Sequence, residues 1–120
     1  MSQTGVYAAA RIMETWSGYD WSNGLQLESV EDFTEISVQT RNSVYQITAI
    51  DGMAREIVVR GGRFFPEKTP ARLAGSSLGG GLLKLGGIYV GFSLEIVSHD
   101  DTIITTHIRS IRVLPPLGSL

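Results

Sequence analysis

The residues of this 120-residue chain that could do covalent chemistry are few, and they lie in its second half. Gly75-Ser76-Ser77-Leu78-Gly79 spells G-x-S-x-G, the pattern of a nucleophile elbow. Asp100 and His107 follow it in the order Ser, Asp, His. An elbow lifts its serine on a strand-to-helix turn. Here Pro70 stands close before Ser77, and Gly79-Gly80-Gly81 follow at once, where each glycine in a helix costs about 1 kcal/mol. A chain of this length with a meander pattern also lacks the parallel sheet that holds such a triad. A small hydrolase centred on Ser77 with His107 is therefore the alternative reading, not the leading one.

Other chemical signatures are weaker. Gly75 and Gly80 have P-loop spacing, but Gly81 occupies the lysine position, and no G-x-G-x-x-G occurs. No cofactor is implied. His99, Asp100, Asp101 and His107 are the one cluster with metal-ligand chemistry. With only two histidines in the chain, a solvated turn followed by a strand histidine is the simpler expectation. The adjacent acids Glu31-Asp32 and Asp100-Asp101 also read as solvated turns, not acid–base pairs.

The more distinctive feature is the stretch from Arg60 to Gly87, which holds eight of the chain's fourteen glycines. Gly61-Gly62 and Gly86-Gly87 bracket it. Thr69 as cap, Pro70 at the first helical position and Gly75 as the stop predict a one-turn helix between them. Phe64, Phe65, Leu73, Leu78, Leu82 and Leu83 are too apolar for a solvated linker, so the segment is expected to pack, with Phe64-Phe65 as its anchor. It reads first as a long crossover between sheets and second as a binding loop. Arg60, Arg63 and Arg72, flanking Phe64 and Phe65, are the expected contact residues for an anionic ligand or a protein partner. The leucines offer a shared apolar patch for self-association. Single-stranded nucleic acid is a third reading, resting on Tyr45, Phe64, Phe65, Tyr89 and Phe92 in a small β-barrel. A sequence pI of about 5.6 argues against it.

The elements that must position these residues are mostly strands. Thr34, Ile36, Val38 and Thr40 share one face of a strand over about 33–40. Tyr45, Ile47 and Ala49 share one face of a second over 44–51, and Val58-Val59 mark a third over 55–60. Arg41-Asn42-Ser43 and Asp51-Gly52 are the turns between them. Farther on, Ile88, Val90, Phe92, Leu94 and Ile96 alternate along one predicted strand, and the polar turn His99-Asp100-Asp101 leads into a return strand. In that strand Ile104, Thr106 and Ile108 have one parity and Ile111 and Val113 the other, so a bulge is expected near Arg109–Ser110. Pro115-Pro116 ends it. Before the strands, Val6, Ala9, Met13 and Trp16 recur at helical spacing and predict a helix over about 5–17. Tyr19 and Trp21 are expected to cover the open end of the core.

These elements sum to an all-β domain, a small antiparallel barrel or two-sheet sandwich of five to six strands, with an N-terminal helix and a long Gly-rich crossover. One domain spans 1–120: a helix and connector over 1–32, a β core over 33–114 and a tail over 115–120. An apolar fraction of 42% and a charged fraction of 18% are those of a globular chain. There is no cysteine, no signal-like start and no apolar run long enough for a bilayer, so a cytoplasmic, non-membrane protein is expected. The net charge of −2 conceals an asymmetry. Residues 1–40 set Arg11 against six carboxylates, whereas residues 41–84 set seven cations against three. Pairing between the two regions, within a chain or between copies, is the economical expectation. The leading functional expectation is a non-catalytic binding or assembly module that self-associates.

Overall fold

Residues 16–19, 21–78 and 82–115 are described by a computed structural model of the chain. The expected helix over 5–17 lies outside these residues apart from its end, where residues 16–18 are helical. The three expected early strands are present as β2 (Glu35–Thr40), β3 (Val44–Asp51) and β4 (Glu56–Gly61). The first starts two residues late because Phe33 takes a φ of 68°, which no strand accommodates. Preceding them are a short strand β1 (Gly24–Gln26) and a 3-10 turn (Leu27–Ser29). After them come β5 (Phe65–Ser77), β6 (Leu83–Leu85), β7 (Gly87–Tyr89), β8 (Ser93–Ser98) and β9 (Asp101–Leu114).

The one-turn helix expected at Thr69–Gly75 is instead the middle of β5, a 13-residue strand. Local capping signals lose here to a ladder available on both sides. Residues 65–72 pair with β4, and from Arg72 onward the strand pairs with β8 and then also with β6. Pro66 and Pro70 fall before Arg72, where only β4 is alongside and a missing N–H does least harm. The crossover is thus itself a strand. The connector narrows to the residues between Ser77 and Leu83. Gly75, at φ 150°, sits where the register with β8 shifts, and a Cβ there would overlap the carbonyl oxygen of Lys84.

The expected single strand over Ile88–Ser98 is also broken. Gly91 at φ 93° turns the chain between β7 and β8. The expected face is kept in β8, where Leu94 and Ile96 are buried with Phe92 before them, but in β7 Ile88 and Tyr89 are both buried and Val90 is half-buried. The bulge expected near Arg109 is present, since Gln39 pairs with Ser110 and the next residue, Thr40, pairs with Ile108.

Six strands close on themselves in chain order: β2, β3, β4, β5, β8, β9 and back to β2, every pair antiparallel. The result is an up-and-down barrel with β1 and β7 as a separate two-stranded sheet over one end. Alternating residues fill the interior: Ile36 and Val38, Tyr45, Ile47 and Ala49, Ile57 and Val59, then Phe65, Leu73, Leu94, Ile96 and Ile108. No described carboxylate lies within the 4.0 Å of a described cation that an ion pair requires, so the expected acid–base pairing is not made within the described chain.

One end of the barrel is plugged. Leu27 is fully buried in the core, fixed by its backbone N–H donating to the Gly86 carbonyl at 2.8 Å. A separate cluster joins the rings of Trp16, Tyr19, Trp21, Tyr89 and Phe92, with Trp21 stacked on Phe92 at 5.4 Å and Lys84 Nζ 4.8 Å from the Trp21 ring. The Tyr19 hydroxyl donates to the Val90 carbonyl at 2.5 Å. Tyr19 and Trp21, expected to cover the open end of the core, pack on Tyr89 and Phe92. Leu27→Ala should lower unfolding free energy by about 2–5 kcal/mol in denaturant titration. A change below about 1 kcal/mol would show that the plug does not share the core's cooperativity.

Candidate functional site

Each residue singled out in the sequence now has a place. Phe65 is buried in the core, so it holds the fold and is removed from any ligand. Arg60 projects from β4 into a shallow depression with Lys68, Glu35 and Gln46. Arg72 lies on the outer wall, opposite Glu56 in the β4–β5 register, beside an apolar groove of about 730 Å³ formed with Ile50, Val58, Pro70 and Ala71. Arg63 and Phe64 lie at the β4–β5 turn. The three arginines therefore line three separate hollows, and no single cationic cleft forms.

Arg63 and Phe64 are brought together with residues the sequence did not suggest. They border a hollow of about 240 Å³ at the unplugged end of the barrel, between the β2–β3 and β4–β5 turns and the β8–β9 hairpin. Its polar lining comes from Asn42, Ser43, Thr105 and Thr106. The Thr106 hydroxyl donates to Thr40 Oγ1 at 2.9 Å and accepts from the Asn42 backbone N–H at 3.3 Å. Thr105 Oγ1 is engaged from inside by the Leu94 N–H at 2.9 Å. The two threonine hydroxyls are thus tied down, while the side chains of Asn42, Ser43 and Arg63 keep polar groups at the rim beside two large apolar ones. Phe64 is 55% exposed and Ile104 60% exposed. Two large apolar side chains are thus left in water beside one hollow, the kind of exposed apolar pair that contact surfaces share. Ile104 was legible only as a strand residue. Its nearness to Phe64 follows from the hairpin crossing the barrel mouth, and no local pattern encodes that.

The serine pattern falls elsewhere. Ser77 ends β5, 2% exposed, and its Oγ makes no hydrogen bond. It pairs with Ser93 on β8, and Ser93 pairs in turn with the exposed His107. Asp100 sits in the hairpin turn beyond Ser98, at the far end of that ladder. A hydroxyl sealed from solvent and free of any base has neither access nor activation. Among the described residues, no three His, Asp or Glu side chains come together as a metal group. Of the five aromatics that suggested base stacking, Tyr45, Phe65, Tyr89 and Phe92 are buried, leaving Phe64 as the one a base could reach. No helix of the described residues is long and apolar enough to cross a membrane.

Comparison with protein-family models, with curated proteins and with solved structures returns no match.

Adjacent serines provide a control on the hydroxyl assignments. Ser76 Oγ, fully buried, donates to the Gly87 carbonyl at 2.8 Å and accepts from the Tyr89 N–H at 3.2 Å, tying β5 to β7. Ser76→Ala should cost about 1–3 kcal/mol, because it orphans a buried carbonyl and a buried amide. Ser77→Ala should be neutral or stabilising, because it removes an unsatisfied group. Thermal unfolding of the two variants should separate them in that order. A loss at Ser77 matching that at Ser76 would mean that the Ser77 hydroxyl has a partner.

Proposed function

We propose that this chain is a non-catalytic binding and assembly module whose contact surface is the open barrel mouth, with Phe64 and Ile104 as anchors and Arg63 at its edge. The partner we assign is a second copy of the chain. The observation that carries the reading is the juxtaposition of Phe64 and Ile104, both more than half exposed, around one hollow. Burying such a pair yields about 1.5–3 kcal/mol per side chain, which a mutual contact collects from both copies. A rigid barrel suits this role, because the mouth is presented by turns anchored in closed ladders and little ordering cost accompanies contact. The unpaired charges support it too: Arg63 has no acidic partner among the described residues and is free to meet a carboxylate across an interface.

Light scattering and sedimentation equilibrium of the wild-type chain over a concentration series should show a mass above that of one 13.0 kDa chain. Phe64→Ser combined with Ile104→Thr should shift the mass to that of the monomer while leaving the unfolding midpoint at matched monomer concentration within a few degrees. A strictly monomeric wild type at high concentration refutes the assignment of a second copy. An assembly unaffected by the double substitution refutes the assignment of this surface.

A further inference from the structure

At the plugged end of the barrel, reached from β3 in the direction away from the mouth, the β3–β4 turn faces β1 and β6 across a second hollow. It measures about 240 Å³ and is lined by Gln26, Glu28, Met53, Arg55, Leu85 and Gly86. Neither the catalytic patterns nor the mouth surface uses any of these residues.

Arg55 is the central group. Its backbone takes a φ of 59°, a conformation rarely held by a side chain other than glycine, asparagine or aspartate. Surrounding bonds hold it there: its N–H donates to the Gly52 carbonyl at 3.2 Å, and its carbonyl accepts from the Leu73 N–H at 2.9 Å. Asp51 Oδ1 fixes the same turn by accepting from the N–H groups of Met53 and Ala54 at 3.1 and 3.2 Å. The side chain so placed is half-buried and has no partner. Nε is sealed from solvent without a hydrogen bond, and the guanidinium makes neither an ion pair nor a hydrogen bond with any described residue. Burying a donor without an acceptor costs about 1–3 kcal/mol, and strain at a non-glycine left-handed residue adds about 1–3 kcal/mol. Two such costs on one arginine are characteristic of a site held ready for something else.

The other walls define what that is. Glu28 lines the same hollow yet stays unpaired with Arg55, so one cation and one anion face the space separately. Position 86 lies between Arg55 and Gln26. A Cβ there would stand at ordinary contact distance, 3.4 Å from Arg55 Cδ and 3.5 Å from Gln26 Oε1, and the backbone φ of 66° is what favours glycine. Gly86 is itself fixed, donating to the Ala74 carbonyl at 2.9 Å and accepting from Leu27. At the rim stand Met53, 78% exposed, and Leu85, 60% exposed. A free carboxylate matches the guanidinium's two terminal nitrogens, which, unlike Nε, are not sealed off. An ammonium matches Glu28 and the Gln26 carbonyl oxygen, and an apolar side chain matches Met53 and Leu85.

We infer that this hollow is a binding site for a small zwitterion of the α-amino-acid class with an apolar side chain, its carboxylate on Arg55, its ammonium on Glu28 and its side chain against Met53 and Leu85. The site lies away from the mouth and does not rest on the assembly reading.

The test is a backbone-amide and arginine Nε–H NMR titration of the wild-type chain with L-leucine as probe. Saturable shifts at Met53, Arg55 and Gly86 are expected. Leucinamide, which lacks the carboxylate, N-acetyl-leucine, which lacks the ammonium, and glycine, which lacks the side chain, should each bind at least about tenfold more weakly. Arg55→Gln should weaken leucine by a similar factor, with amide shifts elsewhere in the barrel showing the fold retained. Absence of saturable shifts with leucine in the tens of millimolar range overturns the proposal. So does leucinamide or N-acetyl-leucine binding as well as leucine, because then the two charges are not read together, or glycine doing so, because then the side chain is not read. The three analogues act on the unaltered protein, so the outcome does not depend on whether a variant folds.

Discussion

Closing a six-membered antiparallel ring is the constraint on which the structure depends. A sheet of this size can end in two open edges or join them, and joining requires strands that serve different neighbours along their length. β5 and β9 do this. The first begins on β4 and ends between β8 and β6, while the second begins on β8 and ends on β2. Each change of partner coincides with a break in register, at Gly75 in one strand and Arg109 in the other. The extra residue sharpens the local twist and lets the strand leave one neighbour for the next. Without these two long strands, the meander of β2, β3 and β4 would be an open sheet with a bare apolar face.

Closure also decides where binding surfaces can be. The interior is filled by side chains and offers no lumen, so ligand-accessible groups are confined to the two ends and the outer wall. At one end the 3-10 turn places Leu27 in the core. At the other, the turns after β2 and β4 and the tilted β8–β9 hairpin leave Phe64 and Ile104 in water. The wall carries Arg60 and Arg72 on the outer face of β4 and β5, in different hollows. The turns hold what the ladders cannot: Phe33, Arg55 and His99 are the non-glycine residues at positive φ, and all three precede or follow a strand.

Much of this was legible in the chain. Alternation at Thr34, Ile36, Val38 and Thr40, and at Tyr45, Ile47 and Ala49, assigns the inward faces, because period two in a strand has one burial solution. The parity change between Ile108 and Ile111 places the Arg109 bulge for the same reason. Where two local rules competed, the sequence was a poor guide. Thr69, Pro70 and Gly75 satisfy the rules for a short helix, and they also fit a strand whose first half has one neighbour and whose bulge needs a glycine. The run from Ile88 to Ile96 keeps its expected face in β8 but not in β7, with Gly91 breaking it in two.

The sequence by itself determined the class of fold, the inward faces of β2 and β3, the turns between the early strands and the absence of any disulfide, because these follow from residue type and spacing over a few positions. Tertiary structure alone decided that Phe65 is core while its neighbour Phe64 is bare. It also decided that Ile104 comes beside Phe64, and that Arg55, Glu28 and Gly86 border one hollow. Each of those facts depends on ring closure bringing together segments tens of residues apart, and the free energy of that closure is shared among six ladders at once, beyond the reach of any local pattern.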